Sequence, residues 1–325
     1  MTIQEIRNVK LVLSGGGVKG FAMAGAVIGL EDCGVVPVQL AGTSSGAMVA
    51  ALVAAGYKGE ELAHIVESAD LATILGIGGE DWQAGTWMKR WWRTIQAVQG
   101  KGWVDGARLE KWMAGWLQRK GVRVFGDLPA GRLKVVVADI VRHRLIVIPD
   151  DLPDGRRFSV AKAVRMSASI PFLFAPVSVN DSFYVDGSLL SNTPIFAIDS
   201  DEQRLPIVAV SYGGVDSIPV EAKTQEGTVT IKKTKRPTSA GGPFKLLHAL
   251  IETMLSAHDD YVMRQHPQVI RISLPSLGIQ STDFHIRKEQ MKQLVREGAT
   301  AATLQWVQAE SVFALTYHQW KRFGR

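Results

Sequence analysis

The chain has 325 residues, enough for one large or two ordinary domains, and 46% hydrophobic with 21% charged residues excludes a disordered, collagen-like or coiled-coil protein. A single cysteine, Cys33, excludes an internal disulfide framework and a multi-cysteine zinc site. The net charge of +6 is concentrated between Gly85 and Arg123, where nine Lys/Arg meet two acids and six of the nine tryptophans. Such a window suits anionic lipid, nucleic acid or an acidic partner.

The start, Met1 to Lys10, mixes charges without an apolar core, so it is not a secretory signal. Val9–Leu13 is a short apolar run of the kind buried in a parallel sheet. It leads through Ser14 and the glycine loop Gly15–Gly20 into an Ala- and Met-rich helix ending at Glu31. Val36–Ala41 reads as a second strand, Gly42–Gly46 as a sharp turn, and Ala47–Ala55 as a helix closed by Gly56. The uncharged stretch from Cys33 to Tyr57 is broken by Pro37, Gln39 and that turn, so it is not a membrane span. Glu60–Ala69 is a further helix.

Residues Trp82–Trp103 form a Trp- and Lys/Arg-rich insert. There Trp87, Trp91, Ile95 and Val98 share one helical face beside Lys89, Arg90 and Arg93, which makes the Trp87–Trp92 region a candidate peripheral membrane contact. Asp105 is placed to cap a helix over Ala107–Lys120, whose Leu109, Trp112, Met113, Trp116 and Leu117 recur at core-facing spacing. Strands follow at Leu133–Ala138, His143–Ile148, Ile207–Ser211 and Val269–Ser273, and helices at Phe244–Met263 and Arg287–Gln308. Glu221–Gly242, rich in Lys, Thr and Gly, reads as a long exposed loop. Strands alternating with helices predict a single three-layer α/β/α domain over residues 1–325, with a mostly parallel sheet.

Gly15–Gly20 fits the dinucleotide pattern G-x-G-x-x-G after a strand. Neither a ribose-binding acid at the end of the second strand nor a Gly-Lys-Ser/Thr run accompanies it, so nucleotide binding is not supported. What remains is a loop whose main-chain N–H groups converge at a helix start and stabilise negative charge, or else a plain tight turn. Gly42-Thr43-Ser44-Ser45-Gly46 is a G-x-S-x-G between strand and helix, with Ser44 the candidate nucleophile and Ser45 the expected helix cap. A serine nucleophile needs a base. None of the seven histidines stands in a loop typical of a catalytic one. Asp186, in Phe183-Tyr184-Val185-Asp186-Gly187-Ser188, ends a short strand and is the better candidate, although Asp-Gly is also a common turn.

Taken together, these residues resemble the patatin-like phospholipases. Gly15–Gly20 stand where that family has its oxyanion loop, Gly42 and Gly46 flank its nucleophile elbow, and Asp186-Gly187 matches its dyad. Met166–Pro171 and Phe172–Pro176 resemble the segment before the dyad strand, and Asn192 and Pro194 fit positions after it. Ser188 departs from the Gly or Ala usual after Asp-Gly. The resemblance, over about residues 9 to 215, implies a patatin-like fold and a serine acyl hydrolase of the phospholipase A or lysophospholipase type. Ser44 would be its nucleophile and Asp186 its base, with oxyanion donors drawn from Gly15, Gly16, Gly17, Val18, Lys19 and Gly20. It implies a lipid or acyl-ester substrate, no metal or cofactor and no nucleic-acid partner. The start without a secretory signal and the lack of a membrane span give the separate expectation of a cytoplasmic protein, with the Trp87–Trp92 region as its candidate contact with membranes. An acyltransferase and a non-catalytic lipid-binding regulator on the same fold are the alternatives.

Overall fold

An apolar strand running into glycine sets the first element of the computed structural model. That model describes residues 7–75, 104, 106–171, 173–198, 205–212, 223–224, 227–228, 263–281 and 286–323. β1 (Asn8–Leu13) ends at the glycine loop, and α1 (Gly20–Asp32) follows, buried on nearly every side. β2 (Val36–Thr43) passes through Ser44 into α2 (Ser45–Ala54), followed by α3 (Gly59–Ser68), α4 (Leu71–Leu75) and α5 (Ala107–Arg119). Leu109, Met113 and Leu117 of α5 are buried, with Trp112 and Trp116 packed against the core, as their spacing predicts. The N-cap of α5 is Gly106, in the left-handed region (φ 73°), and Asp105, the expected cap, lies outside the described residues. Any side chain at Gly106 would collide with the Arg165 guanidinium. The insert carrying Trp87–Trp92 lies outside the described residues, as does nearly all of the helix expected over 244–263.

The remaining elements are β3 (Leu133–Asp139), β4 (Arg144–Ile148), α6 (Val160–Ser167), β5 (Val177–Val179), β6 (Ser182–Asp186), β7 (Ile207–Tyr212), a hairpin of β8 (Lys223–Thr224) and β9 (Gly227–Thr228), β10 (Ile270–Leu274) and α7 (Lys288–Phe323). The hairpin falls inside the segment expected to be all loop. α7 outruns its expected end at Gln308 because Ala309–Phe323 contains neither Gly nor Pro to stop it. Among the described residues no helix is long and apolar enough to cross a membrane.

The strands form an eight-stranded sheet in the order β10-β7-β1-β2-β3-β6-β5, with β4 also on β3. The pairs β10–β7, β7–β1, β1–β2 and β2–β3 are parallel; those of β3 with β4 and β6, and of β5 with β6, are antiparallel. Side chains alternate between two apolar layers. Leu11 and Leu13 face α1, α2 and α7, whose Met291, Leu294 and Trp306 complete that core. Val12, Ala41, Val136 and Ala209 face Ile195, Ile198, Met263 and Val269 on the other side.

Register at β3 brings two strand ends together. Thr43 of β2 lies opposite Val136, and Asp186 of β6 lies opposite Val137. β4 pairs with both Val136 and Val137, so it occupies the other edge of β3. β2 and β6 therefore meet end to end along one edge of β3, at consecutive residues.

Asp139 holds the top of this arrangement. Its buried carboxylate accepts the Ser182 hydroxyl at 2.7 Å, the main-chain N–H groups of Val141 and Arg142 at 3.0 and 2.9 Å, and the Arg142 guanidinium at 3.2 Å. Burial by itself would raise its pKa, but these donors outweigh it and bring the carboxyl down to about 2. Its folded pKa lies below the unfolded value, so its stabilisation is present above about pH 4 and is lost as pH falls through about 2. Asp139→Asn is expected to destabilise the protein by about 2 kcal/mol at pH 7, measured by urea unfolding, with the gap to wild type shrinking below pH 4.

Candidate active site

The elbow follows from close approach. A side chain at Gly42 would press on the main chain of Gly46 and Ala47, and one at Gly46 on the carbonyls of Leu13 and Ser14. Only glycines let β2 turn into α2 this sharply. Ser44 between them is forced to φ 54° and ψ −126°, a conformation that costs a non-glycine residue about 1–3 kcal/mol. Ser44 itself is the N-cap of α2, and neither its side chain nor that of Ser45 caps the helix. The expectation that Ser45 is the cap is thus corrected: it is the first helical residue, and its buried hydroxyl has no partner among the described residues.

Asp186 comes to Ser44 through the end-to-end strands. It is 3% exposed, and its Oδ1 accepts the Ser188 main-chain N–H at 2.8 Å. Burial lifts its pKa to about 6, while the Ser44 hydroxyl and the N–H and hydroxyl of Ser188 act in the opposite direction by favouring the anion. The Ser188 hydroxyl is buried without a partner at full hydrogen-bond geometry, so its help to the carboxylate is the weaker kind. Gly187 is required because a Cβ there would run into the Val136 carbonyl.

The glycine loop lies on the other side of Ser44, and Gly15 is close enough that a side chain on it would strike Ser188 and Asn192. Four of its six N–H groups are spent. Gly15 donates to the Asn192 carbonyl (3.2 Å), Val18 to that of Ser281 (3.0 Å) and Lys19 to that of Gly16 (3.1 Å), while Gly20 bonds back to Gly17 and Val18. The N–H groups of Gly16 and Gly17 have no partner among the described residues. This narrows the expected donor set of Gly15–Gly20 and takes Val18 out of it. Gly17 sits at φ 56°, where glycine is favoured. The Lys19 ammonium lies 4.9 Å from the centre of the Tyr212 ring.

A cavity opens at Ser44, with about 860 Å³ of space including its mouth. Beyond Ser44, Ser45 and the loop glycines its walls are hydrocarbon and indole, from Met48, Val49 and Leu52 of α2, Ile65 of α3, Ile74 of α4 and Trp112 of α5. No histidine lines it among the described residues.

Sequence reasoning missed Ser167, which is fully buried. Its Oγ accepts the Ser44 main-chain N–H at 2.9 Å and donates to the Val136 carbonyl at 2.7 Å. Met166–Pro171 was singled out only for its resemblance to a known segment, and nothing in a linear pattern tells which of its serines reaches the elbow.

Comparison with known proteins gives the family and the fold. The sequence profile described as patatin-like phospholipase matches residues 11–199. The protein YqhO of Bacillus subtilis is 36% identical over 312 residues, covering 91% of this chain and 98% of that one. An NTE family protein of Mycobacterium tuberculosis is 32% identical over 198 residues, covering 60% of this chain but only 29% of that longer protein. Among solved structures, VipD from Legionella pneumophila shares the fold with a TM-score of 0.53 at 17% identity, over 91% of this chain and 66% of that one. With more than half of the chain matched and a full-length relative above 30% identity, this protein belongs to the patatin-like phospholipase family.

Proposed function

We propose that the protein hydrolyses carboxylic esters of lipids, with Ser44 as nucleophile and Asp186 as its base. One observation carries the reading: a strained serine hydroxyl faces a buried carboxylate lifted to about 6, at the mouth of a hydrocarbon-lined cavity. An aspartate at that pKa is still mostly ionised at pH 7, yet about a hundredfold more basic than a free one.

The acyl chain lies along α2 and presents its carbonyl carbon to Ser44 Oγ. As Oγ attacks, its proton passes to Asp186, and the carbonyl electron pair moves onto oxygen, toward the N–H groups of Gly16 and Gly17. Collapse expels the alcohol, which takes the proton from Asp186. Water then attacks the acyl-serine, gives a proton to Asp186, and releases the fatty acid as Ser44 recovers its hydrogen.

A panel of short esters, lysophospholipids and diacyl phospholipids, run with wild type and Ser44→Ala, tests this reading. It fails if wild type hydrolyses none of them. The cavity also predicts an effect of chain length. Leu52 lies two turns of α2 beyond Ser44, or about 10–12 Å along the helix axis. Leu52→Phe is expected to lower kcat/KM for decanoyl esters about tenfold and to leave acetyl esters within about twofold. Equal loss on both would show that the acyl chain does not lie there.

A further inference from the structure

The segment from Arg165 to Ser169 touches both members of the proposed pair through their main chains. Ser167 Oγ accepts the Ser44 N–H at 2.9 Å, and two residues on the Ser169 carbonyl accepts the Asp186 N–H at 2.9 Å. The Ser167 hydroxyl also donates to the Val136 carbonyl at 2.7 Å, on the residue of β3 that lies opposite Thr43 and next to the one opposite Asp186. Arg165 anchors the segment from its own side, with its guanidinium on Ser169 Oγ and, at 3.0 Å, on the Ala175 carbonyl.

These bonds have a consequence for the elbow. A non-glycine residue at φ 54° is held there only by its surroundings. The Ser44 N–H stands at a helix start, where no intrahelical acceptor exists. Ser167 supplies that acceptor, and its single hydrogen is committed to β3. From this geometry we infer that Ser167 is a positioning residue, whose hydroxyl clamps the nucleophile elbow to β3 and so sets the separation of Ser44 and Asp186. The inference rests on the hydrolase reading for its effect on rate, but the clamp itself does not.

Removing the hydroxyl strands the Ser44 N–H and the Val136 carbonyl in the interior, and the elbow relaxes toward an unstrained conformation. Ser44 then withdraws from Asp186. The groups acting on Asp186 are the Ser44 hydroxyl and the N–H and hydroxyl of Ser188; among the described residues no charged side chain does so. Withdrawal of Ser44 takes away a donor that favours the anion, so the carboxyl titrates higher.

The test compares wild type, Ser167→Ala and Ser167→Cys, in which the thiol is near the hydroxyl in size but a weaker partner. On a short soluble ester, kcat is expected to fall about 100-fold in Ser167→Ala and about tenfold in Ser167→Cys, with KM within about threefold. The acid limb of kcat should move to higher pH in both. A role confined to stability would lower the melting temperature without moving that limb in the folded enzyme. A kcat within threefold of wild type, or a loss with an unmoved acid limb, overturns the inference. If Ser167→Ala does not fold, Ser167→Cys carries the same tests. If wild type hydrolyses no ester, the hydrolase reading fails, and amide hydrogen exchange at Ser44 decides the clamp alone. Exchange faster in Ser167→Cys supports it, and unchanged exchange overturns it.

Discussion

Ser44→Ala is expected to lose ester hydrolysis by at least about 10⁴-fold, because no second group replaces a covalent nucleophile. The residue is 4% exposed and its side chain caps no helix, so deleting Oγ removes only its hydrogen bond to Asp186, a carboxyl that takes up a proton readily in its buried place. Alanine meets nearly the same backbone strain as serine at φ 54°, so stability should stay within about 1 kcal/mol of wild type. A fluorophosphonate probe should label wild type once per chain and leave the variant unlabelled, while the melting curves nearly superimpose. Labelling that survives in Ser44→Ala would place the nucleophile elsewhere.

Asp186→Asn should be nearly as damaging to activity, with kcat/KM down by about 10³–10⁴-fold, and it should stabilise the protein at the same time. Asparagine keeps the Oδ1 that accepts the Ser188 N–H but cannot take the Ser44 proton. For stability the sign follows from linkage. The folded pKa, about 6, lies above the ordinary carboxylate value, so the native state binds the proton more tightly than the unfolded chain does. That stability is fully present below about pH 4 and is lost as pH rises through 6, in total about 3 kcal/mol by pH 8. An amide does not ionise and escapes the loss. Urea unfolding should therefore show a gap favouring Asp186→Asn that opens between pH 4 and 6 and is flat above pH 7. The kcat/KM of wild type should show an acid limb near pH 6 that the variant lacks. No single histidine substitution should come close to this damage. If any of the seven, folded, fell below about a hundredth of wild-type activity, a Ser–His–Asp arrangement would replace the pair.

The local pattern of residues was enough for most of the secondary structure and for the two catalytic candidates. Apolar runs such as Val9–Leu13 and Leu133–Ala138 have one reading in an α/β protein, and they form β1 and β3 within one residue of the expected ends. The elbow was legible because the close approach at Gly42 and Gly46 tolerates only glycine, and that constraint is written within five residues. Asp186 was legible as a strand-end acid before glycine.

Partners far apart in the chain were another matter. Ser44 and Ser167 are 123 residues apart, and the Val18 N–H is spent on Ser281, so neither the Ser44–Ser167 bond nor the loop N–H groups left without a partner among the described residues had any periodic trace. Ser45 looked like the cap because capping preference is local. The actual boundary is shifted by one residue because the strained turn makes Ser44 the last non-helical position. The pKa of Asp186 is likewise a property of burial, which exists only once β2 and β6 have met end to end on β3. Residue type and short spacing determine where the chain turns and which groups are reactive in kind. Strand register and interior desolvation, which need the whole sheet assembled, decide which of those groups meet and how basic the carboxylate becomes.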